Sequence, residues 1–323
     1  MEHRQIMGKE GLTLAAIASL AMAAVAFFVD TAPDFIQPAG ICLPSPQGWN
    51  LPHFAGWLIN VLAVCAVCLL IGLMNKEYKI VPGGDTVTAG LFALITASNI
   101  WISGHLTSSS VFALANIICM LIIFSCFDKR NATKDLFVTG SILSFGSMIQ
   151  YSFIFLMPFY LIAAVIVKKF NIKVVTAYAM GLVAPYWVVF GLGIISPHDV
   201  SFPEVSHIGG KIASASDIFI GMLNIAVTVF WGLIAALIIA SRNYMGNSRQ
   251  RSCYAIINLL GLFLIACMVL DFENIVAYIA TAYLIASIQL GNLFAPGNIK
   301  SGRLWVLGFA ALYIGGFVLM AIF

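Results

Sequence analysis

Apolar runs long enough to cross a lipid bilayer recur along the whole chain, and its few charges sit between them. The runs fall at Gly11–Val29, 54–74, 86–102, 111–127, 136–150, 151–167, 174–195, 218–240, 253–270, 274–290 and 304–322. Only 9% of the 323 residues are charged and 61% are hydrophobic, whereas a soluble domain carries about 25% charged residues. In lipid a helix satisfies each segment's backbone hydrogen bonds within the segment itself. The expectation is therefore an all-α, polytopic integral membrane protein, a single domain over 1–323 with about eleven transmembrane helices. The net charge of +3 comes from loop residues that set topology, and makes no case for a nucleic-acid partner. The weakly basic start MEHRQIMGKE leads into Gly11–Val29 with no small-residue cleavage site, so this run is expected to stay as a first helix.

The run from Leu136 to Val167 has an awkward length, too long for one crossing and just enough for two short ones. Each half would rise about 22–26 Å against a hydrocarbon core of about 30 Å. Lys and Arg decide between the two. With the N-terminus cytoplasmic and the run split at Gln150-Tyr151, fifteen of the sixteen Lys and Arg residues fall in inner loops, and only Lys211 lies outside. A single crossing would put every later basic loop on the wrong side. The split is adopted, which makes the C-terminus external.

That topology gives the outer face a definite inventory. The first outer loop, after the first helix, holds Asp30, Asp34, five prolines and His53, with no Lys or Arg. The second holds His105, and the third is the Gln150-Tyr151 turn. The fourth holds His198, Asp199, Glu204, His207 and Lys211, and the fifth is a short turn around Asp271 and Glu273. Four of the five histidines lie outside. The outer face is the chemical face.

Known chemical motifs are missing. Nothing matches a phosphate loop, a dinucleotide fingerprint or an HExxH zinc helix. Cys65-Ala-Val-Cys68 has CxxC spacing but sits mid-helix, where packing is the expected role. A carboxylate at a helix exit is expensive unless it meets water or a partner. Asp30 sits at such an exit, with Asp34 beyond Pro33. Either they cap neighbouring helices, or one is a general base or metal-binding carboxylate at the bilayer surface. Lys211, the lone outer cation, suits a lipid phosphate, with His198 and His207 beside it. His53, His105, Asp199 and Glu204 complete the candidates. Asp271 and Glu273 read as turn and cap residues.

The run Val138-Thr139-Gly140-Ser141-Ile142-Leu143-Ser144-Phe145-Gly146-Ser147-Met148-Ile149-Gln150-Tyr151, then an apolar stretch with Pro158 ending at Lys168-Lys169, resembles a pattern in GT-C glycosyltransferases. Those polytopic enzymes show a basic inner loop, a short glycine-bearing helix, a tight outer turn and an apolar helix ending in Lys or Arg. Here Gln150-Tyr151 stands where the family carries a cation. The stretch ending in Gly181-Leu182-Val183-Ala184-Pro185-Tyr186 also resembles a family of polytopic inner-membrane proteins from Bacteroidota. The resemblance covers roughly 95–195 plus the position of Asp30. It implies a GT-C-like helical arrangement in a bacterial inner membrane with a periplasmic working face. It also implies transfer of a sugar, such as mannose, from a polyprenyl-phosphate donor to a periplasmic acceptor. Asp30 would be the base with Asp34 as substitute, and Lys211, His198 and His207 would bind the donor phosphate. Some members of the family use a divalent metal and others do not. Two other readings stay open: a non-catalytic membrane subunit of an envelope, secretion or glycosylation complex, and a small-molecule transporter.

Overall fold

Helices form at every one of these apolar runs. The structure, a computed structural model, describes residues 2–29, 40–81, 85–196, 200, 216–241, 247–295 and 302–322, and within these it leaves the side chains of 2–14, 85, 216–220, 273 and 302–304 undescribed. The helices are α1 (Glu2–Phe28), α2 (His53–Tyr78), α3 (Asp85–Ala97), the one-turn α4 (Ile100–Ser103), α5 (Ser108–Ser125), α6 (Thr133–Ile149), α7 (Phe153–Ile166), α8 (Ile172–Gly191), α9 (Ser216–Ser241), α10 (Ser248–Leu270), α11 (Ile275–Leu293) and α12 (Gly302–Ile322). There is no strand among the described residues. Seven helices, α2, α5 and α8 to α12, are long and apolar enough to cross a membrane. Shorter apolar helical stretches lie at Ala15–Phe28, Thr86–Ala97 and Phe153–Ile166.

The awkward 136–167 run is two helices. The end of α6 is closed by the Gln150 N–H on the Gly146 carbonyl (2.8 Å), and α7 starts three residues later as the Ile154 N–H bonds the Tyr151 carbonyl (2.9 Å). One helix later, α8 returns against α6 through glycines. A Cβ at Gly181 would lie 2.2 Å from the Phe137 carbonyl oxygen, and one at Gly140 would lie 2.7 Å from that of Tyr178. Small residues let two backbones approach this closely in lipid, where packing rather than water exclusion drives association. The Ser144 hydroxyl donates to the Leu182 carbonyl (2.5 Å), and the Ser147 and Tyr186 hydroxyls share a bond of 2.7 Å.

The centre of the bundle is α11, buried at every position from Ile275 to Leu293. It packs against α3, α5, α9 and α10. Among the seven spanning candidates it has the lowest mean hydropathy, 1.4. Its Tyr278, Tyr283, Gln289 and Asn292 need polar partners, which lipid does not offer and neighbouring helices do. Tyr283 takes a hydrogen bond from Asn99 (2.9 Å) at the break between α3 and α4, and donates to Asn224 on α9 (2.9 Å). Thr88 on α3 fills the space beside Gly291, which fixes how closely that pair crosses.

The basic loops meet at one end of the bundle. Arg249 at the start of α10 pairs with Asp128 at 2.9 Å and lies 4.6 Å over the Tyr78 ring. Lys169 donates to the Lys129 carbonyl (2.6 Å), and Gln250 to the Lys79 carbonyl (3.1 Å). Among the described residues, the segments at 40–43, 150–152 and 271–274, all expected to be external, meet at the opposite end.

Candidate functional site

At the end away from the basic loops lies a buried polar cluster built from two turns that are 120 residues apart. Asp271 follows the last residue of α10 and is 0% exposed. Its Oδ1 accepts from the Tyr151 hydroxyl (2.6 Å) and from Asn274 Nδ2 (2.6 Å), and its Oδ2 accepts from the Tyr278 hydroxyl (2.9 Å). Asn274 also bonds the Tyr151 hydroxyl directly. Local spacing explains half of the arrangement: the turn after α10 brings Asn274 back toward Asp271, and Tyr278 stands one helical turn further along α11. Tyr151 supplies the rest from the α6–α7 turn. No cation pairs with Asp271 among the described residues. Its oxygens accept from three donors inside the fold, an arrangement that ties two turns together.

A polar layer continues from this cluster. Ser108 donates to Gln150 Oε1 (3.2 Å), Gln150 Nε2 donates to Ser152 (3.2 Å), and the Ser109 hydroxyl accepts from the Ala280 backbone (2.8 Å). Ser110 bonds Asn60, whose Nδ2 donates to the Ile102 carbonyl (2.7 Å). The three serines that open α5 are thus buried structural groups rather than an exposed acceptor surface. Gln150, where the GT-C pattern carries a cation, is 1% exposed and bonded to Ser108 and Ser152. A phosphate has no access to it.

The first outer loop is anchored at this same end on both sides of its acidic segment. Before that segment, α1 packs so that a Cβ at Gly104 would lie 2.9 Å from the Ala26 carbonyl oxygen. Phe27 lies 5.5 Å from the Trp57 ring, and the Trp57 indole donates to the Ala23 carbonyl (3.0 Å). After the segment, Gly40 sits directly on the end of α6, where a Cβ would fall 2.0 Å from the Met148 carbonyl oxygen. The Ile41 N–H bonds the Ser147 carbonyl (3.3 Å) and the Leu43 N–H bonds that of Met148 (2.8 Å). No side chain fits at Gly40, and these backbone hydrogen bonds to the last turn of α6 pin the loop beside the Gln150-Tyr151 turn.

Of the candidates from sequence, His53 opens α2, is exposed, and rests against Phe27 with ring centres 4.6 Å apart. His105 is half-buried in the loop between α4 and α5. Asp30, Asp34, His198, Asp199, Glu204, His207 and Lys211 lie outside the described residues. Among the described residues no three His, Cys, Asp or Glu groups stand close enough to hold a metal ion. In the CxxC pair, Cys65 is exposed and the Cys68 thiol donates to the Ala89 carbonyl (3.6 Å). Partial burial raises the Cys42 thiol above its ordinary range, which keeps it protonated and a poor nucleophile.

Sequence reasoning passed over Asp271 as a member of a site. The available signal was an acidic residue closing an apolar helix with Asn three and Tyr seven residues on. Its long-range partner, Tyr151, carries no signal in the local pattern.

No family model, curated protein or solved structure matches the chain. The class is defined by the fold itself: the described residues form helices without strands, seven of the helices among them are long and apolar enough to cross a membrane, and this makes it a multi-pass membrane protein.

Proposed function

We propose that the chain is a GT-C-like inner-membrane glycosyltransferase that moves a sugar from a polyprenyl-phosphate donor to an acceptor at the outer face. In this reading it has eleven crossings, a cytoplasmic N-terminus and an external C-terminus. The reading is carried by the anchoring of the first outer loop. The residues flanking Asp30 and Asp34 are held at Gly104 and at Met148, beside the α6–α7 turn that bears the resemblance. Proton abstraction from an acceptor hydroxyl needs a base within hydrogen-bond reach of it, and both anchored flanks of the acidic segment lie at the end of the bundle where this reading puts the acceptor. Asp30 is the base with Asp34 in reserve, and Lys211 with His198 and His207 takes the donor phosphate. Asp271, fully enclosed, is a positioning residue that holds the α6–α7 and α10–α11 turns together.

The test replaces Asp30 and Asp34 with Asn, singly and together, and follows lipid-linked sugar pools and envelope glycoconjugates. The expected result is loss of transfer and accumulation of the donor lipid at normal protein abundance. Unchanged pools with abundant protein would end the enzymatic reading and leave the non-catalytic subunit in its place.

A further inference from the structure

A second site lies in the half of the bundle nearer the basic loops. Helices α9 and α10 both pack on α11 but diverge from each other. The cleft between them, about 190 Å³, runs along α9 from Val229 to Ala240 and is floored by Ala282, Ala286 and Gln289 of α11. That stretch of α9 is about 16 Å long. Its rim is membrane surface: Leu237 is 69% exposed and Leu262 57%. Among the described residues no ionisable side chain lines it.

Two primary amides interrupt this apolar lining. Gln289, only 7% exposed, donates from Nε2 to Asn258 Oδ1 (3.2 Å). That single bond leaves Gln289 Oε1 and the Asn258 amide N–H without partners among the described residues. The Oε1 lies under Gly232, where a Cβ would approach it to 3.0 Å, so it faces the α9 side of the cleft. A free acceptor and a free donor side by side in lipid are costly unless something meets them. A pure hydrocarbon chain meets neither. A charged headgroup finds no counter-ion among the described residues of the lining and would pay its desolvation uncompensated there.

We propose that this cleft binds an uncharged glycerolipid of the diacylglycerol type. Its free hydroxyl donates to Gln289 Oε1 and its ester carbonyl accepts from Asn258 Nδ2. The volume holds about six water-sized groups, enough for the polar end and the first methylenes, and the chains continue past Leu237 and Leu262 into the bilayer. The inference does not rest on the glycosyl-transfer reading, because the cleft includes none of the residues assigned to that chemistry.

The test uses the full chain in nanodiscs with a photoreactive diacylglycerol, compared at equal mole fraction with photoreactive phosphatidic acid and photoreactive polyprenyl phosphate. Labelling by the diacylglycerol is expected to concentrate on 229–240 and 258–265. It should fall about fivefold in the near-isosteric double variant Asn258→Leu, Gln289→Met, and be lost in Ala236→Leu, which fills the groove from a half-buried position. The double variant keeps side-chain volume and removes only hydrogen bonds, so it remains informative if Ala236→Leu folds poorly. Labelling spread evenly around the membrane belt, or unchanged in the double variant, overturns the proposal. So does stronger labelling by either charged lipid.

Discussion

Adding one methyl group at Gly181 tests the close backbone packing of α8 on α6. Its Cβ would lie 2.2 Å from the Phe137 carbonyl oxygen and 3.0 Å from the Phe137 carbonyl carbon. Both are backbone atoms, so no rotamer change relieves the clash. Restoring ordinary contact near 3.4 Å requires α8 to withdraw by about 1.2 Å. The Ser144–Leu182 bond at 2.5 Å and the Ser147–Tyr186 bond at 2.7 Å would then stretch beyond hydrogen-bonding range. Overpacking typically costs about 1–3 kcal/mol, and two intramembrane hydrogen bonds add about 0.6 kcal/mol each. The intrinsic helix preference for Ala over Gly returns up to about 1 kcal/mol. The net expectation for Gly181→Ala is a loss of about 1–3 kcal/mol, measured by reversible unfolding in mixed micelles with added dodecyl sulfate. Gly72 and Gly191 have nothing within 4 Å of a Cβ, so Gly72→Ala and Gly191→Ala should be neutral or stabilising by up to about 1 kcal/mol. A Gly181→Ala protein as stable as Gly191→Ala would refute the packing argument.

Further perturbations probe the two ends of the bundle. Asp271→Ala removes the acceptor that the Tyr151, Asn274 and Tyr278 donors share. It should destabilise by about 2–4 kcal/mol in the same assay, whereas Tyr278→Phe, which removes one bond, should cost about 0.5–1.5 kcal/mol. Arg249→Ala removes a half-exposed ion pair with Asp128 and the contact over Tyr78. About 1 kcal/mol of lost stability is expected, with the ion-pair share shrinking as salt is raised. Reporter fusions after Met1 and Phe323 should report opposite sides of the membrane, and reporters on the same side would overturn the eleven-crossing arrangement.

The apolar runs were legible because lipid imposes a simple demand: each spanning segment must be apolar and must satisfy its own backbone. Helices stand at all of them. The basic residues carried more information than any other feature, since Lys168, Lys169 and the later inner loops made sense only if 136–167 was two pieces. The structure has its helix break at Gln150–Ser152, where that argument put it. The roles of individual residues were less accessible. Ser108 to Ser110 precede the apolar run that starts at 111, where the local pattern marks no burial, and are interior groups. Asp271 looked like a turn residue and is the shared acceptor of two distant turns.

What the sequence determined by itself was therefore the class of molecule, the apolar runs that become helices and the break that separates α6 from α7. Each of these follows from the energetics of single segments in lipid. Tertiary structure alone decided that α11, the least hydrophobic of the seven spanning candidates, stands at the centre, and that Tyr151 meets Asp271. It also placed Asn258 and Gln289 together in a cleft. Polar side chains in a membrane need partners, and those partners come from helices far away in the chain, so their positions depend on packing that no local pattern encodes.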